Sequence, residues 1–269
     1  FLQPNTFAQK ETANWIFGMY DNWVIFTDSG PIPYSPPNNI QWQPDFFESG
    51  GCASTISDKE GNLILYTNAE SVWNGQLQYL GYPNGHWWGS TIIIPSPGNS
   101  TRFYIITTLY AGLTGLKIYQ VDMSLNSGSG GNVYNESFGT NLVPKIATTY
   151  HSNQKDIWLI AHDWNSNSFR SVLITEQIPG ASPFITTTPV ISNVGLIQQD
   201  TAVVDLWNSA SVGKMKISPG GNHIAMSSNG LNAVEIFDYD KETGIVSNPR
   251  TINIDRPFCL EFSPNGTLL

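Results

Sequence analysis

Charge is scarce in this sequence. Asp, Glu, Lys and Arg make up 12% of its 269 residues, about half the usual share, which argues against helix bundles with charged outer faces. Basic residues are the scarcest, 12 against 21 acidic ones, for a formal net charge of -9. No Lys/Arg run exceeds a single residue, so the concentrated basic face that phosphate contacts require is missing, and nucleic acid is excluded as a partner. The only two cysteines, Cys52 and Cys259, are too few for a disulfide framework and too far apart for a zinc knuckle. They are read as buried free thiols, with a single bridge as the alternative. No apolar run approaches the ~20 residues of a membrane span, so no membrane insertion is expected.

What is abundant is Asn, Ser, Thr, Gly, Trp and Tyr, the composition of turn-rich β-structure. Runs rich in β-branched and aromatic residues recur at Asn62 to Thr67, Ser90 to Pro95, Arg102 to Thr107, Leu116 to Val121, Ile157 to Ala161, Ser171 to Thr175, His223 to Met226 and Ala233 to Tyr239. Each is bounded by Gly, Pro, Asn, Asp or Ser and reads as a strand. Only Gly195 to Ser211 offers a helix, with irregular apolar spacing.

A repeat organises these strands. Ala53 to Leu65, Met215 to Ala225 and Leu260 to Leu269 share one pattern: a strand ending in Ser, a short turn closed by Gly, a polar residue and a second apolar strand. Weaker copies begin at Ser96 and Ser152. Taking Ser57, Ser96, Ser152, Ser218 and Ser263 as equivalent gives a unit of about 40 to 50 residues with insertions, enough for a four-stranded blade. The expected fold is an all-β propeller with about five blade repeats, and a β-sandwich is the alternative. Leu269 falls inside the second strand of the last copy, so the expectation is an incomplete domain cut from a six- to eight-bladed propeller. Residues 1–8 read as the remnant of a secretory signal, with apolar Phe1 and Leu2, small Thr6 and Ala8, and cleavage before Gln9. The propeller domain then runs over residues 9–269.

Several words span nearly the whole chain in order: Trp15 to Gly18, Gly51 to Asp58, Gly61 to Asn68, Val72 to Asn74, Ile92 to Pro95, Gly115-Leu116, Val121 to Asn126, Trp158 with His162 and Trp164-Asn165, Ile217 to Pro219, Phe237-Asp238, and Thr243 to Pro249. In these the sequence resembles the N-terminal propeller-like (WD40/YVTN-like) regions of Bacteroidetes surface proteins that end in a gliding-motility-associated, type IX secretion sorting domain. The resemblance implies a secreted or outer-surface protein with a downstream anchoring domain, and it supplies no catalytic motif. Asp200-Thr201-Ala202 resembles that phylum's O-glycosylation signal, which makes Thr201 the acceptor.

No catalytic constellation stands out. Asp58, Glu60, Asp238, Asp240 and Glu242 are read as hairpin-turn residues rather than the paired carboxylates of a glycosidase. The Asp238 to Glu242 stretch lacks full calcium-loop spacing. His86, His151, His162 and His223 show no metal-ligand spacing, and no nucleophile elbow accompanies them. No metal or cofactor is expected. Aromatic side chains are the better lead, because an indole face stacks on a sugar ring or anchors a partner protein. Trp42, Trp87 and Trp88, with His86, sit in polar loops and are the candidate ligand-binding residues, whereas Trp158 lies in an apolar run and is read as packing. These features favour a non-catalytic recognition or adhesion module for an extracellular polysaccharide or protein. The alternatives are a secreted polysaccharide hydrolase or lyase with its site over the propeller channel, and a passive spacer.

Overall fold

The computed structural model describes residues 14–17, 22–27, 29–34, 53–83, 89–108, 115–176, 188–200 and 209–269. The described chain is all-β. Its strands form five sheets, each built from consecutive strands. The first contains β1 (Asn14–Phe17), β2 (Asn22–Thr27) and β3 (Gly30–Tyr34). The second contains β4 (Ser54–Ser57), β5 (Leu63–Thr67), β6 (Val72–Asn74) and β7 (Tyr79–Gly81). The third has β8 (Thr91–Ser96), β9 (Asn99–Thr108), β10 (Leu116–Asp122) and β11 (Gly131–Phe138). The fourth has β12 (Leu142–Tyr150), β13 (Ile157–Asp163), β14 (Ser168–Ile174) and β15 (Val190–Asn193). The fifth has β16 (Met215–Ile217), β17 (His223–Ser228), β18 (Ala233–Tyr239) and β19 (Val246–Asn253).

Each of the strand runs expected between Asn62 and Tyr239 is present, but the two strands expected within Leu260 to Leu269 are not formed: residues 254–269 carry only turns and irregular backbone. The helix considered for Gly195 to Ser211 is not formed in its described parts: 195–200 and 209–211 are irregular or turn. Cys259 is a free thiol on the surface rather than in the core, and Cys52 lies outside the described residues.

The hairpin repeat is real, but its register differs from the serine alignment. Ser218 donates its backbone N–H to the carbonyl of His223 at 2.8 Å, and its Oγ accepts the His223 N–H at 3.1 Å. Ser263 does the same with Leu268, at 2.9 Å for each bond. In the β4–β5 hairpin this position belongs to Asp58, whose Oδ1 accepts the Asn62 N–H at 2.8 Å, not to Ser57. Before β13 it belongs to His151, whose N–H reaches the Asp156 carbonyl at 2.8 Å, not to Ser152. The residue three places on closes the turn onto the first carbonyl in all four copies: Gly61, Gln154, Gly221 and Gly266. All four have φ between +57° and +93°, the left-handed region that favours glycine.

The described chain divides into two compact units. Unit 1 comprises Phe1–Ile94, Thr101–Thr107 and Lys117–Glu136, and unit 2 the remainder. Unit 1 is centred on Leu65, Val72, Ile93, Phe103, Ile105, Tyr119 and Val121. Unit 2 buries Ala147, Trp158, Ile160, Phe169, Ile224, Met226, Phe237 and Tyr239 among others. There the Phe169 and Phe237 rings meet edge to face at 4.8 Å and tie the fourth sheet to the fifth. Each buried ring contributes roughly 2–3 kcal/mol of apolar burial. Trp158 is a packing residue, as expected: it is buried, and its Nε1 donates to the Lys241 carbonyl at 2.8 Å.

Candidate functional site

Trp42, His86, Trp87, Trp88 and Thr201, the residues singled out from the sequence, lie outside the described residues. The turn acids are placed. Asp58 caps its own hairpin through Asn62, and Asp240 accepts from the Glu242 N–H at 2.9 Å and the Thr243 hydroxyl at 2.7 Å. Asp238 is a strand residue rather than a turn residue; it pairs with Arg250 at 2.6 Å and Asn248 at 2.8 Å. Among the described residues no cluster of three or more His, Cys, Asp or Glu is placed to hold a metal.

The most unusual chemistry lies in unit 2 around Lys145, a residue the sequence reading passed over. Lys145 is the one charged residue of β12. Its strand shifts register against β13 between Leu142 and Ile146, where Pro144 supplies no N–H to the ladder. The side chain is completely buried. Its Nζ donates to the Ala210 carbonyl at 2.8 Å, Ser228 Oγ at 2.9 Å and Gln198 Oε1 at 3.1 Å. The Ser228 hydroxyl in turn donates to Gln198 Oε1 at 2.7 Å.

These partners are themselves held. Gln198 exchanges backbone hydrogen bonds with Ser166 (2.8 Å) and Asn165 (2.9 Å). Ala210 is fixed by its N–H to Asp200 Oδ1 at 2.7 Å, and the neighbouring Ser209 hydroxyl reaches Asp200 Oδ2 at 3.0 Å. Ser228 ends β17 and is followed by Asn229, whose N–H donates to the Val212 carbonyl at 2.9 Å.

An ammonium has three N–H donors, and all three are used, yet every acceptor is uncharged. Burial therefore dominates: it pushes Lys145 down to about 7, with the nearby Glu235 carboxyl opposing and Lys214 adding to the depression. Glu235 is also buried. Its own value is raised by burial, against the Leu196 N–H that donates to Oε1 at 2.9 Å and the smaller effects of Lys145 and Thr251. His162, on β13, is buried edge-on against Phe169 at 4.6 Å. Burial lowers it to about 4, against the bond to Asp163 and with the Lys145 charge adding to the depression. Its Nδ1 lies 2.8 Å from the Asp163 carbonyl, which only accepts, so Nδ1 carries the proton and Nε2 the lone pair.

A buried amine near neutrality, a raised carboxyl and a neutral imidazole in one layer form the kind of perturbed cluster that accompanies proton-transfer chemistry. The sequence signal for it was slight: one lysine inside the otherwise uncharged run Leu142–Tyr150 of a charge-poor chain.

No family model matches the sequence, and no curated protein matches it. Solved structures do. A protein of Bacteroides uniformis assigned as a 6-phosphogluconolactonase is 14% identical, with TM-score 0.46, covering 89% of this chain and 67% of its own. The periplasmic gluconolactonase of Pseudomonas aeruginosa is 13% identical, with TM-score 0.46, covering 88% and 64%. A functionally unknown protein of Desulfotomaculum acetoxidans is 11% identical, with TM-score 0.47, covering 92% and 73%. The chain spans about two thirds of the length of the first two. The first two carry lactonase names, and on this finding the expectation of a non-catalytic recognition or adhesion module is corrected and withdrawn.

Proposed function

We propose that the chain is the repeat portion of an exported β-propeller enzyme of hydrolytic class, acting on an ester or lactone through the Lys145 centre. The propeller part of this reading is supported by five sheets of consecutive strands and by one hairpin device used at Asp58, His151, Ser218 and Ser263. Export and the kinship with type IX-sorted surface proteins are parts of the same proposal, supported by the family words in the sequence. Fractionation of cells expressing the whole gene tests both.

The observation that carries the chemistry is the completely buried Lys145, lowered to about 7 and ringed by neutral acceptors. Near neutral pH a large fraction of such an amine is unprotonated and can take a proton from water as it attacks an acyl carbon. The Gln198 side-chain nitrogen, buried and without a partner, supplies an N–H for the oxygen that becomes negative in that step. Glycoside cleavage fits less well, because it needs two carboxyl groups across one bond and the layer offers Glu235 alone. Since Lys145 and Gln198 have no exposed surface, turnover requires the segments carrying Gln198 and Ala210 to part from β12.

A second reading rests on the complete use of the three ammonium protons: Lys145 is then a strut that fastens Gln198, Ala210 and Ser228 together. One experiment separates the two. Wild type and Lys145→Met are assayed against a panel of lactones, aryl esters and aryl glycosides. The enzyme reading expects ester or lactone hydrolysis that falls at least ~100-fold in the folded variant. Absence of hydrolysis in wild type, or unchanged turnover in Lys145→Met, leaves the strut.

A further inference from the structure

Glu235 is the buried acid of the Lys145 layer, and what it grips is backbone. It lies on β18, 2% exposed, opposite Thr251 of β19, whose side chain donates to its carboxyl. Its Oε1 accepts the Leu196 N–H at 2.9 Å. Leu196 belongs to a strap, residues 194–199, that follows β15. Two residues further along the strap is Gln198, which accepts from Lys145 Nζ at 3.1 Å.

The strap is bonded to two sheets of unit 2. Toward the fourth sheet, the Val194 N–H reaches the Asn167 carbonyl at 2.9 Å. Gln198 exchanges bonds with the same turn, through Ser166 at 2.8 Å and Asn165 at 2.9 Å. Toward the fifth sheet, Glu235 takes the Leu196 N–H. Gly195 lies so close to β18 that an added Cβ would stand 2.7 Å from Glu235 Oε1 and 2.8 Å from the Phe237 ring. With φ at +83°, the glycine lets the backbone settle directly on those two side chains. The Leu196 and Ile197 side chains are exposed, so hydrogen bonds rather than apolar burial seat this part of the strap.

We propose that Glu235 is a positioning residue for Lys145: by gripping the Leu196 N–H it seats the strap on β18, which keeps the Gln198 amide on the amine and water away from it. This role rests on the reading of Lys145 as the reactive amine. Glu235 then acts on the lysine in two ways of opposite sign. Burial, the largest influence on Lys145, favours the neutral amine, and the strap maintains that burial; the Glu235 charge favours the ammonium. Because burial is the larger influence, losing the grip matters more than losing the charge.

The test follows the Lys145 ¹³Cε titration and the exchange rate of the Leu196 amide in the full chain, for wild type, Glu235→Gln and Glu235→Ala. Glu235→Gln keeps an acceptor for Leu196 and removes the charge, so the amide stays protected and the lysine midpoint falls below that of wild type. Glu235→Ala removes the grip. Leu196 exchange then speeds up by ~10- to 100-fold, water enters the polar space left behind, and the midpoint rises toward the ordinary 10.5. Opposite movements in the two variants are the expected result, and a residue that merely filled space would not produce them. If Glu235→Ala does not fold, Gly195→Ala lifts the strap with Glu235 in place, and the same faster exchange and higher midpoint are expected. Midpoints that fall together in both Glu235 variants would overturn the proposal and reduce Glu235 to a charge. So would a Leu196 amide as protected in Glu235→Ala as in wild type, or a wild-type midpoint in Gly195→Ala. Neither readout needs a substrate, so a chain that hydrolyses nothing defeats the enzyme reading while these measurements still decide the role of Glu235.

Discussion

Asp122 in unit 1 and Lys145 in unit 2 are both nearly inaccessible to water, yet their surroundings differ in kind. Asp122 ends β10 among groups that answer its charge. Arg102 Nε donates at 2.8 Å, Thr101 Oγ1 at 3.0 Å, the Ser124 N–H at 2.9 Å and its hydroxyl at 2.6 Å. Burial opposes ionisation, but the bonds from Ser124, Arg102 and Thr101 outweigh it and hold the carboxyl well below its usual range. Lys145 receives only neutral acceptors, and burial wins. A charge matched by an opposite one is a structural joint. A charge met by dipoles alone is held close to losing its proton, and that poise makes a lysine chemically useful.

The contrast can be broken by mutation. Lys145→Ala removes the stem and leaves Gln198, Ala210 and Ser228 short of a donor, so a loss of about 3 kcal/mol is expected in urea unfolding. A cost under about 1 kcal/mol would mean that the layer is slack.

Of similar size is a pH effect with a defined sign. With Lys145 lowered to about 7 against an ordinary 10.5, the unfolded chain binds more protons between those values. Wild type therefore gains stability relative to Lys145→Met as pH rises from 7 to 10, on the order of a few kcal/mol. Parallel curves for the two proteins would contradict the depression.

Asp122→Ala is expected to cost less, about 1–2 kcal/mol. The carboxyl is depressed when folded, so its contribution is present above the ordinary carboxylate range and fades as pH falls below it. Variant and wild type should therefore converge in acid.

The smallest expected effect has the opposite sign. Gln154 occupies at φ 57° the place that Gly61, Gly221 and Gly266 take in the other hairpins. Gln154→Gly relieves that strain and should stabilise by up to about 1 kcal/mol, after the added freedom of the unfolded chain is counted. Thermal melting of the pair checks it.

The hairpin comparison also shows what could be read in advance. Strand runs were legible because β-branched and aromatic residues cluster between turn formers, and the repeat was legible through its glycines. Its register slipped by one at Ser57 and Ser152, for a chemical reason. The position needs a side-chain acceptor for nearby backbone N–H groups, and Asp58 Oδ1, His151 Nδ1, Ser218 Oγ and Ser263 Oγ all provide one. Aligning serines alone could not reveal that equivalence. The Lys145 layer was illegible for another reason. Its members come from β12, β13, the segment around Gln198, the turn at Ala210, β17 and β18, so no local spacing records it. Aromatic loops drew attention because their signal is compositional, whereas a buried lysine is defined by where the chain folds.

The most direct measurement is therefore a titration of Lys145 itself, following its ¹³Cε signal by NMR in the full chain, with Lys145→Met to assign the resonance. A midpoint near 7 is the result expected here and keeps the Lys145 layer as the candidate reactive centre. A midpoint near the ordinary 10.5 would contradict the account and reduce Lys145 to a buried strut.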